Sequence, residues 1–472
     1  LRIGNFNDWE VTEDQAKEDT RGVTREFLFF PTKFAGFMSE MGYERFLFLR
    51  NLVVMSFRNT WLTLFALGLL GFQELRAQGK RDFWDLEPIR YSDTLATDRL
   101  AVLAEKLESG KMTEQSGYGL KALEFVLEYL DIPKESQVLV FSKTSLQNSR
   151  ISPKSPRSLY FSENAYVGYV PGGSVEVIVH DPVLGPVFYL IEQDKDGSMK
   201  IERDSNRCMS CHATARTDNV PGMLIRSVYA GEDGHPFLQL GTHDVQHETP
   251  LANRWGGWYV TGKSALPHLG NRVFKEDSDL TPSTIPIKSV AGMLNISVYP
   301  MPTSDIVALL VLEHQVKMHN LINAASMNYR RSLHFMKTLD PEADPKQGSA
   351  GGVADNEAQK IVEYLFFKHE ADLGEGVEGD PAFQREFVKR FPKTSNGDSL
   401  VEFRLYQRIF KNRCSYMVYS DAFKGMPDNL KLKVIARMKQ VVAGKVKAFD
   451  HLKQSELKRI DQILDETLPD WK

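Results

Sequence analysis

Cysteine is scarce in this chain: there are three in 472 residues. A framework of disulfides cannot be assembled from so few, so stability must come from packing, and the cysteines are there for chemistry. An excess of one charge is missing too. The 58 Lys and Arg stand against 62 Asp and Glu, a formal net charge of -4, which argues against nucleic acid as a main partner, since phosphate binding needs concentrated positive charge. No polybasic run addresses an anionic membrane. The chain also lacks a P-loop, a dinucleotide glycine motif, HExxH and GxSxG, so nucleotide chemistry and the familiar hydrolase arrangements have no support. No internal repeat is visible.

What is present sits almost midway: Arg207-Cys208-Met209-Ser210-Cys211-His212, with two of the three cysteines. Two cysteines separated by two residues, followed directly by histidine, suit covalent haem for a geometric reason. The thiols reach the two vinyl groups, which fixes one porphyrin face over the next side chain and aims His212 at the iron. A zinc site would need a fourth ligand, available only from distant Cys414 or a scattered histidine. A thioredoxin-like disulfide needs the motif between a strand and a helix, and Ala213 to Val220 offers little helix. The expectation is one covalent haem c, with Cys208 and Cys211 as anchors and His212 as the proximal iron ligand.

Haem attachment of this kind happens outside the cytoplasm, and a second feature points there. From Met55, Arg58 gives a positive start, Trp61 to Phe72 form an apolar run, and the polar stretch to Ala77 resembles the exit of a secretory signal peptide. The run is too short to cross a bilayer comfortably, where about 20 apolar residues are needed. Residues 55–77 are therefore read as a signal peptide, 1–54 as an upstream or disordered extension, and the protein as periplasmic or otherwise exported, without a transmembrane span in its mature form.

The expected fold class is α+β. Residues 78–133 form a helical N-terminal segment, with helices at Thr97 to Leu107 and after Thr113, the second ending before Pro133. A β-rich haem domain spans 134–303, with strands at Gln137 to Ser142, Ser158 to Phe161, Tyr166 to Val170, Val175 to His180 and Pro186 to Ile191, directly before the motif. More strand-like sequence returns at Met223 to Ala230, Trp255 to Thr261 and Asn295 to Tyr299. A long buried helix occupies 304–339, capped by Ser304 or Asp305 and apolar on all sides from Ile306 to Leu312. Residues 340–355 read as a flexible linker, and 356–472 as a mainly helical C-terminal region.

Several segments look familiar in this order: ISPKSPRSLYF, VGYVPGG, CMSCH, VPGMLIRSVY, RWGGWYVTG, HLGN, SDIVALLVLEHQVKMHN and RCSYMVYS, spread over residues 151–420. They resemble a family of large exported bacterial proteins with a single c-type haem motif, uncharacterised cytochrome c-like proteins. The resemblance implies a haem protein and transfers no reaction. In that family a histidine often follows the lysine of the VTGK segment, whereas this chain has Lys263-Ser264.

The sixth iron ligand decides between a closed site for electron transfer and an open one for binding a small oxidant. Met223, eleven residues past His212 in a Pro-Gly turn, His247 and His268 are the distal candidates, with His243 a weaker one; the two histidines match positions where the resembling family carries histidine. Glu313, His314, Met318 and His319 lie on the long helix, where His314 and His319 differ by about 140° around the axis and cannot face one metal. Core histidines bonded to buried carbonyls are the preferred reading there. Arg203, Arg207, Arg226 and Arg254 are near enough in sequence to meet haem propionates, Trp255 to Tyr259 could wall a porphyrin, and Cys414 is read as a small buried residue. Electron transfer with a redox partner protein is favoured over a haem enzyme such as a peroxidase or small-nitrogen-compound oxidoreductase; a haem sensor or subunit of a redox complex is a third reading.

Overall fold

A computed structural model describes residues 82–111, 119–193 and 198–472. The upstream segment and the signal peptide expected at 1–54 and 55–77 lie outside the described residues. The architecture is α+β, as expected.

Six strands follow one another as a meander: β1 (Val138–Val140), β2 (Arg157–Phe161), β3 (Ala165–Tyr169), β4 (Val175–Asp181), β5 (Gly185–Gln193) and β6 (Met199–Arg203). After β7 (Arg226–Val228) and β8 (Thr242–Asp244), which pair with each other, β9 (Trp258–Tyr259) joins the free side of β1. The result is a seven-stranded antiparallel sheet in the order β6-β5-β4-β3-β2-β1-β9. Five strands fall where the residue alternation places them. The sixth, β6, was not expected, and it is this strand that leads into the haem-type motif. Asn295 to Tyr299, expected to be extended, instead contains a 3-10 turn at Ile296–Val298 begun by the Asn295 side chain, which accepts the Ser297 N–H.

Strand periodicity gives the sheet two unlike faces. Val167 and Tyr169, Val175, Val177 and Val179, and Val187, Tyr189 and Ile191 are buried on one face with Leu100 and Leu103 of α1 (Arg99–Glu108) and Leu123, Val126 and Leu127 of α2 (Leu120–Tyr129). Asp98 caps α1 by accepting from the N–H groups of Leu100 and Ala101. The other face carries Leu159, Tyr166, Gly168, Glu176, Ile178, Phe188 and Leu190, several only half-buried, and it forms the floor of a cleft.

The motif forms a one-turn helix, α3 (Met209–His212). The long helix α4 (Ile306–Leu339) starts where expected, with the Asp305 carboxylate accepting the Ala308 N–H, and every residue from Ile306 to Leu312 is buried. The expected linker at 340–355 is shorter than its composition suggested. Helix α5 (Gly348–Leu365) already begins at Gly348, so that only 340–347 connects. The reason is packing: Ala350, Ala354 and Ala358, four apart, are all buried, a stripe of small side chains that lets a helix of weak intrinsic propensity lie close to its neighbours. Helices α6 (Pro381–Lys389), α7 (Asp421–Lys424), α8 (Asp428–Val442) and α9 (Gln454–Thr467) complete the C-terminal region. One cluster of buried apolar side chains runs from Val138 in β1 through α4 to Trp471, so sheet and C-terminal helices share a core. Among the described residues no helix is long and apolar enough to cross a membrane.

Candidate functional site

The motif is set up by the residue that ends β6. Beyond Arg203, the Asp204 carboxylate accepts the N–H groups of Asn206 at 3.0 Å and Arg207 at 2.7 Å and the Arg207 Nε at 2.6 Å, turning the chain into α3. In a helical turn, positions i, i+3 and i+4 share a face. Cys208, Cys211 and His212 hold those positions, and all three line one cleft, while Met209 turns away into the core. Cys208 is half-buried and Cys211 exposed, and neither is bridged.

His212 is held from one side only. Its Nδ1 lies 2.8 Å from the Gly222 carbonyl oxygen, and its ring packs 4.8 Å from that of Phe188 on the sheet floor. A carbonyl can only accept, so Nδ1 carries the proton and Nε2 keeps its lone pair. The loop that supplies this carbonyl is tied down in turn. Gly222 N–H donates to the His212 carbonyl at 2.8 Å, and Asn320 of α4 holds both the N–H and the C=O of Met223, at 2.9 and 2.7 Å. One helical turn on, Asn323 donates to the Pro221 carbonyl at 2.5 Å. Burial pushes the His212 pKa below the ordinary histidine range, partly opposed by the Gly222 bond, so the ring is neutral near pH 7 and fit to ligate a metal.

The thiols argue against redox exchange. Burial first, then the nearby Asp204 and Glu176 carboxylates, pushes the Cys208 thiol up to about 12, the reverse of the lowered pKa that a thioredoxin-type attacking cysteine needs. A zinc cage also lacks ligands. Among the described residues no three His, Cys, Asp or Glu side chains are grouped for a metal ion, and Cys414 is buried in the C-terminal core without lining the cleft.

The cleft itself is mostly apolar. Leu159, Tyr166, Ile178 and Leu190 form its floor, Met223 to Ile225 one wall, and Leu312 and Val316 of α4 approach from another side. This is the composition expected around a flat hydrophobic cofactor, with the thiols and the imidazole at one edge. The residues present therefore fit a covalent haem: two unbridged thiols and one neutral imidazole with a free nitrogen share an apolar slot.

The distal candidates separate. Met223 lines the cleft; His247, His268 and His243 do not. His247 is fully buried, its ring stacked 3.9 Å from Tyr364 and its Nδ1 2.8 Å from Nδ1 of His314, whose Nε2 meets the Ser415 hydroxyl at 2.6 Å. His268 accepts the Gly270 N–H on Nδ1 at 3.1 Å and meets Trp255 edge-on. His243 sits on β8 opposite Ser227. His314 and His319 have different neighbours, as their angular separation requires: the His319 Nδ1 is 2.6 Å from the Tyr166 hydroxyl.

The arginines and the aromatic segment also resolve. Arg254, buried, donates to Glu313 at 2.7 Å, and the same carboxylate accepts the Trp255 indole N–H; both are core residues rather than porphyrin contacts. Arg203 is engaged by the carbonyls of Tyr91 and Thr94, and Arg226 reaches Thr242. Of the four arginines expected near propionates, only Arg207 lines the cleft, and a fifth, Arg157, lines it as well. Sequence reasoning passed over Arg157, Gly168, Glu176, Asn320 and Asn323. Asn320 and Asn323, flanking Leu321 and Ile322 on the long helix, were the available signal, because buried amides must find partners.

No protein-family model, no curated protein and no solved structure matches this chain.

Proposed function

We propose that this is an exported c-type haem protein working by one-electron transfer through a single covalent haem. The observation that carries the reading is the joint placement of Cys208, Cys211 and His212 at one edge of an apolar cleft, with Nδ1 of His212 committed to Gly222. When bound, the haem supplies an iron couple that takes up and gives back one electron. Cys208 and Cys211 tether it. His212 presents Nε2, and the Gly222 carbonyl fixes the tautomer and makes that nitrogen more basic. Leu159, Ile178 and Leu190 exclude water, which raises the cost of charge on the metal and so tunes the potential. A protein redox partner and export, through the segment at 55–77, complete the proposal.

A second reading, a haem enzyme or sensor with an open sixth position, is favoured by one observation: His247 and His268 are engaged in the core and line no part of the cleft.

The test is expression of the full chain with haem-maturation machinery, followed by a pyridine haemochrome assay and haem staining of a denaturing gel. Stained protein of full size is expected, and Cys208→Ala with Cys211→Ala should abolish it. Undiminished covalent pigment in the double variant defeats the proposal.

A further inference from the structure

Within the cleft one polar feature is left unexplained by tethering and ligation. Arg157 lies at the start of β2 and its guanidinium crosses the floor above Gly168 on β3. A Cβ added at Gly168 would stand 2.5 Å from Nη2 and 2.8 Å from Nε of that arginine, so the glycine is what makes room for it. Nη2 is ion-paired with Glu176 on β4. The other oxygen of Glu176 accepts from Gln147 at 3.0 Å and Ser145 at 3.1 Å, which locks the carboxylate and through it the arginine. The Nε–H, by contrast, is buried without a hydrogen-bond partner. A buried guanidinium N–H left without an acceptor carries a desolvation cost that a ligand oxygen would relieve.

Position supports a ligand role. Arg157 lines the same cleft as Cys208, Cys211 and His212. Among the described residues the three other arginines with a buried, unpartnered Nε, Arg203, Arg226 and Arg437, do not line the cleft. Arg207 does, but it is largely exposed and already committed to Asp204.

We infer that Arg157, laid over Gly168 and braced by Glu176, is the anion-holding residue of the cleft, its Nε–H donating to a carboxylate or other small oxyanion. This rests on the haem reading above. The oxyanion has two possible sources of the same chemistry: a propionate of the tethered haem, or a free small anion entering beside it. A guanidinium supplies the fixed, directional donors that either one needs.

The experiment uses the full chain matured with haem, as parent and as Arg157→Leu, read by gel haem staining, reduction potential and azide titration. Staining of the parent tests the haem reading independently. Given a stained parent, Arg157→Leu is expected to stay stained, because the thiols are untouched. If the anion is a propionate, its oxidised-to-reduced ratio at fixed poise rises about tenfold, a downward shift of about 59 mV for one electron, with azide affinity unchanged. If the anion is free, azide affinity falls about tenfold while the potential holds. A stained variant matching the parent in both readouts overturns the inference. Should Arg157→Leu fail to accumulate, Arg157→Lys keeps the cation but lacks the Nε donor; the same losses are expected in smaller measure, and parental values would again overturn the inference.

Discussion

Asn320 grips Met223 by both of its backbone polar groups, accepting the N–H at 2.9 Å and donating to the carbonyl at 2.7 Å. A helix residue thereby fixes the loop whose preceding residue, Gly222, holds His212. Removing the amide strands two buried backbone groups. Asn320→Leu should lower stability by about 1–3 kcal/mol for each group left without a partner, read as a lower urea midpoint. Because the Gly222 carbonyl loses its support, the haem-loaded variant should also show a broadened, shifted absorption envelope at unchanged staining. A parental midpoint would show that the clamp is dispensable.

Acid should weaken the fold through its buried imidazoles. Burial lowers the pKa of His268 to about 4 and of His314 to about 3, against an ordinary 6.5. The sign follows from proton uptake: below 6.5 the unfolded chain binds protons that the folded chain refuses, so the stability present above 6.5 is lost as pH falls toward 4. A single histidine shifted that far is worth roughly 3 kcal/mol across the window. Urea midpoints should therefore drop steeply between pH 7 and pH 4.5. His268→Asn, whose side-chain oxygen can still accept the Gly270 N–H, should flatten that drop by about one proton's linkage; an unaltered slope would exclude His268 as a contributor.

How far these features could be read from residues alone differs by element. The strands β1 to β5 were legible because short runs rich in Val, Tyr and Phe lie between turns, and α4 because Asp305 precedes an unbroken apolar run. The shared placement of Cys208, Cys211 and His212 was legible because positions i, i+3 and i+4 of a helical turn fall on one face. What escaped was whatever depends on partners distant in sequence. Nothing local says that Arg157 will lie across Gly168, eleven residues on, or that Asn320 will meet Met223, 97 residues before it. The partners of the histidines escaped for the same reason, since His247 meets His314 by contacts that only the folded core creates.

The start of α5 gives a packing prediction. Gly and Ala between 348 and 354 made this stretch look like a linker, yet Ala350, Ala354 and Ala358 are buried. Small side chains here set the approach of neighbouring elements. Ala354→Leu should overpack the contact and destabilise by about 1–3 kcal/mol, whereas Gly352→Ala, at a position with open space around its Cβ, should be neutral or slightly stabilising. Thermal melts of the two variants check the contrast; equal melts would mean that the stripe is not a close contact.

The last prediction bears on the sixth iron position. Since His247 and His268 line no part of the cleft, His247→Gln and His268→Gln should leave the visible spectrum of the haem-loaded protein unchanged, whatever they do to stability. Met223 is a subtler case, because it does line the cleft. Its chain neighbour Gly222, however, touches His212 at Nδ1, the nitrogen opposite the one available to the iron. A haem tethered at Cys208 and Cys211 and ligated through Nε2 of His212 would therefore have the Met223 backbone on the same side as that imidazole. Met223→Leu is therefore expected to preserve the visible spectrum of the haem-loaded protein, and cyanide binding to parent and variant alike would favour the second reading, a haem that admits small ligands. A sulfur-to-iron charge-transfer band present in the parent and absent from Met223→Leu, together with indifference to cyanide, would instead assign the methionine as ligand and the carrier role with it.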